Sequence, residues 1–197
     1  EGLPIGSAPL GAQYRRWLEE RSPGAWERIY EQRRRPEYAR QMKAIENTLP
    51  LEHYIETYIL EQAIAFLARP RETPFFLWCG FCGPHGPFDP PAPYAGLYPL
   101  DSVPLPALLD ADVSDKPPHL QRRSRRDLGR REGGAAIRRC IAYYSALVTL
   151  IDEYVGRLAD ALESAGLLEN TLIVYTSDHG EMLGDFGMSG KANFYEP

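Results

Sequence analysis

Apolar residues between positions 137 and 162 recur in steps of three and four, the spacing that places side chains on one face of a helix. The stripe consists of Ile137, Ile141, Tyr144, Val148, Ile151, Val155, Leu158 and Leu162. Gly166 follows it, and helices commonly stop at a glycine. The pattern predicts a long amphipathic helix whose apolar stripe packs on a sheet.

A second helical pattern covers residues 51–69 and leads into a segment that is typical of a strand. The helix has one apolar face, formed by Ile55, Ile59, Ala63 and Phe66. Pro70 ends it, because proline disfavours the helical conformation of the residue before it. Residues 73–81, TPFFLWCGF, are rich in aromatic side chains and predict a buried strand.

Another strand is predicted at residues 171–176, TLIVYT, shortly after the long helix. Its continuous apolar character favours a strand that is covered on both faces of a parallel sheet. Helix, short loop and strand therefore follow one another twice along the chain. That order predicts a layered α/β fold.

The remaining segments are more polar. Residues 14–47 are rich in arginine and predict short, solvated surface helices broken at Pro23 and Pro36. Residues 92–136 contain prolines, then acidic residues, then an arginine cluster. Because no aromatic residues interleave with the arginines, we interpret this region as a solvated insertion loop and not as a nucleic-acid site.

Composition gives a general class. The 197 residues are 44% hydrophobic and 25% charged, which is ordinary for a soluble globular protein. The net charge of -5 gives no reason to expect nucleic acid or an anionic membrane as a partner. No apolar run reaches the length of a membrane span, while oligomeric state and compartment, whether cytoplasmic, periplasmic or secreted, stay open. We divide the chain into an N-terminal polar helical or loop segment, residues 1–50, and an α/β part, residues 51–197.

The cysteines exclude one class of fold. Cys79, Cys82 and Cys140 are odd in number, so a fully paired disulfide framework is impossible within the chain. Cys79 and Cys82 have the spacing of a redox or zinc pair, but no second pair completes four ligands. We interpret both as small apolar residues that follow a strand.

Two segments carry residues with catalytic chemistry, and each follows a predicted strand. Asp178 and His179 place a carboxylate and an imidazole side by side where the second strand ends, which fits a cation site. A glycine-spaced stretch then delivers Lys191, a compact positive charge suited to a tetrahedral oxyanion. After the first strand, residues 82–91 form a loop made rigid by prolines, and its His85 can hydrogen-bond an anion or act as a general acid.

These segments resemble the sulfatase family of the alkaline phosphatase superfamily. SDHGEMLGDFGMSGK resembles its metal-ligand segment, and PFFLWCGFCGPHGPFDPP resembles its strand and Pro-His-x-Pro-Phe loop. The likeness runs from about residue 51 to the end, with a loose match over 92–136. It implies an alkaline-phosphatase-like layered sheet with flanking helices, incomplete in this chain. It also implies a divalent cation on Asp178 and His179, and a sulfate group bound by His85 and Lys191.

The resemblance favours calcium as the cation, and magnesium or manganese stays possible because carboxylate ligands suit hard ions. A histidine where many relatives have asparagine makes softer metals more acceptable. The cation, the lysine and the histidine would together stabilise the negative charge that develops on the leaving oxygen of an ester.

The chain departs from the family at the nucleophile. Sulfatases use a cysteine, oxidised to formylglycine, in a Cys-x-(Pro/Ala)-x-Arg segment, together with an early Asp pair, and none of the three cysteines has that context. We therefore expect an interior fragment with part of an active site, which shows no esterase turnover when purified alone. Three functions stay open: hydrolysis of small-molecule sulfate esters, hydrolysis of phosphonate monoesters or phosphodiesters, and a non-catalytic binding or structural role.

Overall fold

Helices make up most of the regular structure in the computed structural model, which describes residues 8–128 and 134–191. The α-helices of this part are α1 (Ala8–Arg21), α2 (Ala25–Arg34), α3 (Pro36–Arg40), α4 (Ile55–Leu67), α5 (Ala92–Ala95), α6 (Pro118–Leu128) and α7 (Ala135–Ser164). Short 3-10 helices lie at Leu51–His53, Leu100–Ser102, Leu168–Asn170 and Asp185–Gly187. The predicted helices at 51–69 and from 137 onwards are confirmed as α4 and α7.

The helix α7 forms the centre of the core. Leu60 of α4 is fully buried in one cluster with Leu147 and Leu150 of α7. The hydroxyl groups of Thr57 and Tyr154 also meet between the two helices at 2.6 Å. Because these contacts lie on the side of α7 away from the predicted stripe, the helix buries apolar residues on two sides.

The end of α7 follows the sequence prediction. Gly166 has a positive φ of 67°, and its N–H donates to the carbonyl of Glu163 at 2.8 Å. The N–H of Leu167 donates to the carbonyl of Leu162 at 2.9 Å. The left-handed conformation of Gly166 allows these two N–H groups to reach the last carbonyl groups of the helix, and it turns the chain towards residue 171.

The N-terminal helices belong to the core, which corrects the prediction of a solvated surface. Breaks at Pro23 and Pro36 are confirmed, since α1 ends at Arg21 and α3 begins with Pro36. However, α1 and α2 each bury apolar side chains in one cluster with residues of α4. The buried cluster consists of Tyr14, Trp17, Leu18, Ala25, Ile29, Leu49, Tyr58 and Ile59. Five large side chains from α1 and α4 are buried together here, and their removal from water outweighs the high polarity of the surrounding sequence. The boundary at residue 50 stays a prediction.

Neither predicted strand forms a ladder within the described residues. Segments 73–81 and 171–177 carry no strand pairing, and the bridge recorded in the described part joins Ala44 and Phe88 in parallel. Phe76 is 86% exposed and Leu172 is 90% exposed, so the prediction of buried strands is wrong for this chain. The reason is physical: no neighbouring strand in the described part lies beside either segment to pair with its backbone or cover its side chains.

A cleft of about 2000 Å³ lies between these two segments and α7. Seven members of the stripe predicted for the sheet line it: Ile137, Tyr144, Val148, Ile151, Val155, Leu158 and Leu162. The stripe therefore faces the two segments, as predicted, but the cleft separates it from them. In the two described stretches, no helix combines the length and apolarity that crossing a bilayer requires.

Gly166 and Gly156 form a matched pair for testing the end of α7. A Cβ added at either position meets no heavy atom within 4 Å, so packing does not enter. We expect Gly166→Ala to lower the free energy of unfolding by about 1 kcal/mol, because alanine is strained at positive φ. Gly156→Ala, inside the helix, should raise it by about 0.5 kcal/mol. Denaturant titration of both variants measures the difference, and shifts of the same sign would contradict this account.

Candidate active site

Segments 73–81 and 171–177, which have no strand partner in the described residues, are called the bare segments below. The loop that follows each of them carries residues with catalytic chemistry. His85 lies exposed in the first loop, and its Nδ1 is 2.7 Å from the carbonyl oxygen of Gly86. A carbonyl oxygen can only accept, so Nδ1 carries the hydrogen and Nε2 is the ring nitrogen available to a ligand. The backbone N–H of His85 donates to the carbonyl of Cys82 at 3.2 Å, which closes a turn around the imidazole.

The start of this loop is held by a buried carboxylate of α4. Glu56 is 1% exposed, and its two oxygens accept the backbone N–H groups of Cys82 at 3.2 Å and Gly83 at 2.6 Å. Burial raises the pKa of Glu56 to about 7, although both N–H donors favour the ionised form. A buried carboxylate that can be ionised near neutral pH therefore lies directly beneath the loop that carries His85.

A second buried carboxylate holds the end of the loop. Oδ2 of Asp89 accepts from the guanidinium of Arg33 at 2.9 Å and from the amide of Asn47 at 3.0 Å. The hydroxyl of Tyr54 donates to Oδ1 at 3.3 Å. Burial raises the pKa of Asp89 to about 6, while the Arg33 charge acts in the opposite direction. The carboxylate is thus ionised and paired at neutral pH.

The second loop brings Asp178, His179 and Lys191 together. Nζ of Lys191 lies 2.7 Å from Nε2 of His179, and Oδ2 of Asp178 lies 3.6 Å from the same nitrogen. Nδ1 of His179 donates to the carbonyl of Gly180, at 2.9 Å. The imidazole is therefore oriented by the backbone, and its Nε2 lone pair faces the ammonium group of Lys191.

The helix α6 fixes the backbone that carries Lys191. Arg123 donates to the carbonyl oxygens of Lys191 at 2.7 Å and Ser189 at 2.6 Å. Oδ2 of Asp127 accepts the N–H of Ser189 at 3.2 Å. The prediction that the arginine cluster is a solvated loop is wrong for Arg123, because α6 buries Ser124 and Asp127 and turns this arginine towards the glycine-spaced stretch.

All four predicted site residues, His85, Asp178, His179 and Lys191, line the same cleft. Three of them form the contacts given above, whereas no hydrogen bond or ion pair between described residues joins His85 to the others. No cluster of three or more His, Cys, Asp or Glu side chains with metal-binding geometry occurs in the described ranges. Asp178 and His179 thus offer two neighbouring donors of the kind that divalent cations accept.

The Cys79 and Cys82 thiols have a structural environment. Both side chains are half-buried and unpaired by any disulfide. Burial, with the nearby Glu56 carboxylate, raises the pKa of Cys82 to about 12 and also raises that of Cys79. Because thiolates are the reactive and metal-binding form, this environment disfavours both the redox and the zinc interpretation.

The site residues and the helices that support them fall within residues 15–196, which match the family described as Sulfatase. The match covers most of the chain. The chain belongs to the sulfatase family.

Individual relatives agree with this assignment. The chain is 35% identical over 161 residues to the multifunctional alkaline phosphatase superfamily protein PehA of Trinickia caryophylli, covering 74% of this chain and 31% of that protein. It is 34% identical over 144 residues to the arylsulfatase of Clostridium perfringens, covering 71% and 29%. It is 34% identical over 166 residues to the iduronate 2-sulfatase of Homo sapiens, covering 76% and 29%. The chain spans less than a third of these relatives.

A solved structure shows the fold. The phosphonate monoester hydrolase SpPMH from Silicibacter pomeroyi superposes with a TM-score of 0.75 at 24% sequence identity. The superposition covers 96% of this chain and 40% of that chain. The chain therefore has the fold of the corresponding part of that structure.

Arg33 and Arg34 test how strongly the Asp89 anchor contributes. We expect Arg33→Met to lower the free energy of unfolding by about 3 kcal/mol at pH 8, because it leaves a buried carboxylate without its cation. Arg34 pairs with Glu27 at 3.0 Å on the exposed surface, so Arg34→Met should change it by at most about 0.5 kcal/mol.

The Arg33→Met loss should shrink at pH 5. Burial raises the pKa of Asp89, so below about 6 the group takes up a proton and the unpaired charge disappears. Denaturant titrations at both pH values measure the effect. A loss for Arg33→Met that is unchanged between pH 8 and pH 5 would count against this account.

Proposed function

We propose that this chain is part of a sulfate ester hydrolase, in which His85 and Lys191 bind the sulfate group while Asp178 and His179 hold a divalent cation. The observation that carries the proposal is the contact of 2.7 Å between Lys191 and His179 on the wall of the cleft that His85 also lines. A lysine beside candidate cation ligands, in a cleft that a histidine also lines, concentrates positive charge where a sulfate group requires it.

Each side chain has a separate task in this proposal. The ammonium of Lys191 neutralises a nonbridging oxygen, and Nε2 of His85 faces the ester from the other loop, where a protonated ring can donate to the leaving oxygen. A cation, when bound, polarises the ester and offsets negative charge. Calcium is the ion we propose, with magnesium and manganese as alternatives, since Asp178 supplies a hard oxygen ligand.

The Nε2 atom of His179 has a further requirement. It has one lone pair in the imidazole plane, so it cannot accept from Lys191 and bind a cation at the same time. Lys191 must therefore leave His179 when the cation binds. The ammonium group is then available for the anion.

The second candidate function is hydrolysis of phosphonate monoesters or phosphodiesters. The same four side chains recognise a tetrahedral, negatively charged head group without a feature that selects sulfur over phosphorus. The small-molecule leaving group, and with it the substrate, depends on the insertion at residues 92–136, which includes α5 and α6.

We also propose the layered sheet, with segments 73–81 and 171–176 as two of its strands and the helices flanking it. Phe76 and Trp78 are 86% and 76% exposed, and Leu172 is 90% exposed, although side chains of this kind are usually buried. The cleft of about 2000 Å³ beside them is wide enough for further polypeptide. Strands from outside this chain would cover these side chains and pair with both segments.

Hydrogen exchange tests the sheet. In the full-length protein, amides of residues 172–176 should exchange at least about 100-fold more slowly than in the isolated 197-residue chain, because ladder hydrogen bonds protect them. The amides of Asp110, Asp112 and Asp115, three exposed residues before α6, serve as the internal control and should exchange rapidly in both. Fast exchange of 172–176 in the full-length protein would exclude the strand.

The catalytic roles are tested by two histidine substitutions in the full-length protein. We expect His85→Ala to lower kcat/KM on an aryl sulfate by about 100-fold, as loss of one group that stabilises the charged transition state does. His119→Ala, at an exposed histidine of α6, should leave kcat/KM unchanged. An unchanged kcat/KM for the His85→Ala variant would contradict the proposal. If the unsubstituted protein has a higher kcat/KM on an aryl phosphonate than on an aryl sulfate, the second candidate function is favoured.

The cation ligands need a readout other than activity. Asp178→Asn should weaken calcium binding, measured by calorimetry, by at least about 10-fold, because it removes a charged oxygen ligand. Asp101→Asn, at an exposed aspartate of the 3-10 helix Leu100–Ser102, is the control. Equal calcium affinity in both variants would remove Asp178 from the site.

A further inference from the structure

Glu56 is a buried titratable group to which the proposed mechanism gives no role. It lies on α4, where its carboxylate is out of contact with solvent and directly below the loop of His85. We propose that Glu56 is a positioning residue of the anion site, which holds His85 in place by fixing the backbone at Cys82 and Gly83. This inference rests on the proposed role of His85.

The contacts form a short path from the carboxylate to the imidazole. Glu56 accepts the N–H of Cys82 at 3.2 Å, and the carbonyl of the same Cys82 accepts the N–H of His85 at 3.2 Å. The second carboxylate oxygen accepts the N–H of Gly83 at 2.6 Å. Because each oxygen holds a different peptide unit, the loop can neither rotate nor slide without breaking a charge-assisted hydrogen bond.

Gly83 makes this close approach possible. A Cβ at this position would lie 3.2 Å from Oε1 of Glu56 and 3.1 Å from Cδ1 of Ile151. Both distances are tighter than ordinary van der Waals contact, so a side chain here would require the loop, Glu56 or Ile151 to shift by a few tenths of an ångström. The distance between the loop and the helices is therefore fixed by the contacts of Gly83 with Glu56 and Ile151.

Stability alone does not account for a carboxylate in this place. Burial raises the pKa of Glu56 to about 7, so ionisation at neutral pH costs folding free energy that a neutral side chain would avoid. The ionised carboxylate accepts two strong hydrogen bonds from the backbone of one loop, which offsets part of this cost. Asp89 at the other end of the loop, paired with Arg33, adds a second fixed point.

A double-mutant cycle in the full-length protein separates positioning from general support. We expect Glu56→Gln to lower kcat/KM on an aryl sulfate by about 10-fold and to raise the inhibition constant of inorganic sulfate by a similar factor, since misplacement of a binding group weakens its contacts. In the His85→Ala background, the same substitution should change both quantities by less than about 2-fold, because its effect passes through His85.

Controls keep the outcome specific. Glu61→Gln removes a carboxylate from the exposed face of α4 and should leave both constants unchanged. Gly83→Ala displaces the loop by crowding and should reproduce the loss of Glu56→Gln, again without further effect when His85 is absent. If Glu56→Gln is too unstable to assay at about 25 °C, the Gly83→Ala variant replaces it in the double-mutant cycle.

The outcomes distinguish this inference from the proposed function. If His85→Ala has full activity, the role of His85 is wrong and the inference falls with it. If His85→Ala is impaired but Glu56→Gln is not, or if the two losses multiply in the double variant, the role of His85 stands and the positioning role of Glu56 is overturned.

Discussion

The packing of α4 against α7 is the constraint on which both halves of the candidate site depend. The helix α4 leads into segment 73–81 and the loop of His85, while α7 leads into segment 171–177 and Asp178. Leu60 of α4 is fully buried in a cluster with leucines of α7, so the two helices cannot shift independently. The separation of the two loops is therefore set by a helix interface beneath them and not by contacts within the site.

Much of this arrangement could be predicted because its signals are local. The spacing of apolar residues identified α4 and α7, and Gly166 marked the end of the second helix. The combination of a histidine between prolines and an Asp-His pair before Lys191 was specific enough to identify the family. What could not be predicted is burial of polar groups, since Glu56 reads in sequence as one more solvated glutamate on a helix.

The misjudged segments have the same physical origin. Apolar runs at 73–81 and 171–176 indicate what a segment needs, namely cover on both faces, but not whether the chain supplies it. The arginines of residues 14–47 and of α6 suggested solvent, yet Tyr14 and Leu18 lie in the core and Arg123 binds backbone carbonyls. A polar average over a segment hides the few positions that decide where the segment packs.

The bare segment at 171–176 also governs how the isolated chain would behave in a test tube. TLIVYT is short, rich in β-branched residues, without charge and without proline, which is the composition of segments that stack into fibrils. With its side chains in solvent, nothing in the described part of the chain shields it from an identical segment on another molecule. Expression of these 197 residues by themselves should therefore favour insoluble β-rich assemblies, and lysine substitutions at Leu172 and Val174 offer a route to soluble material.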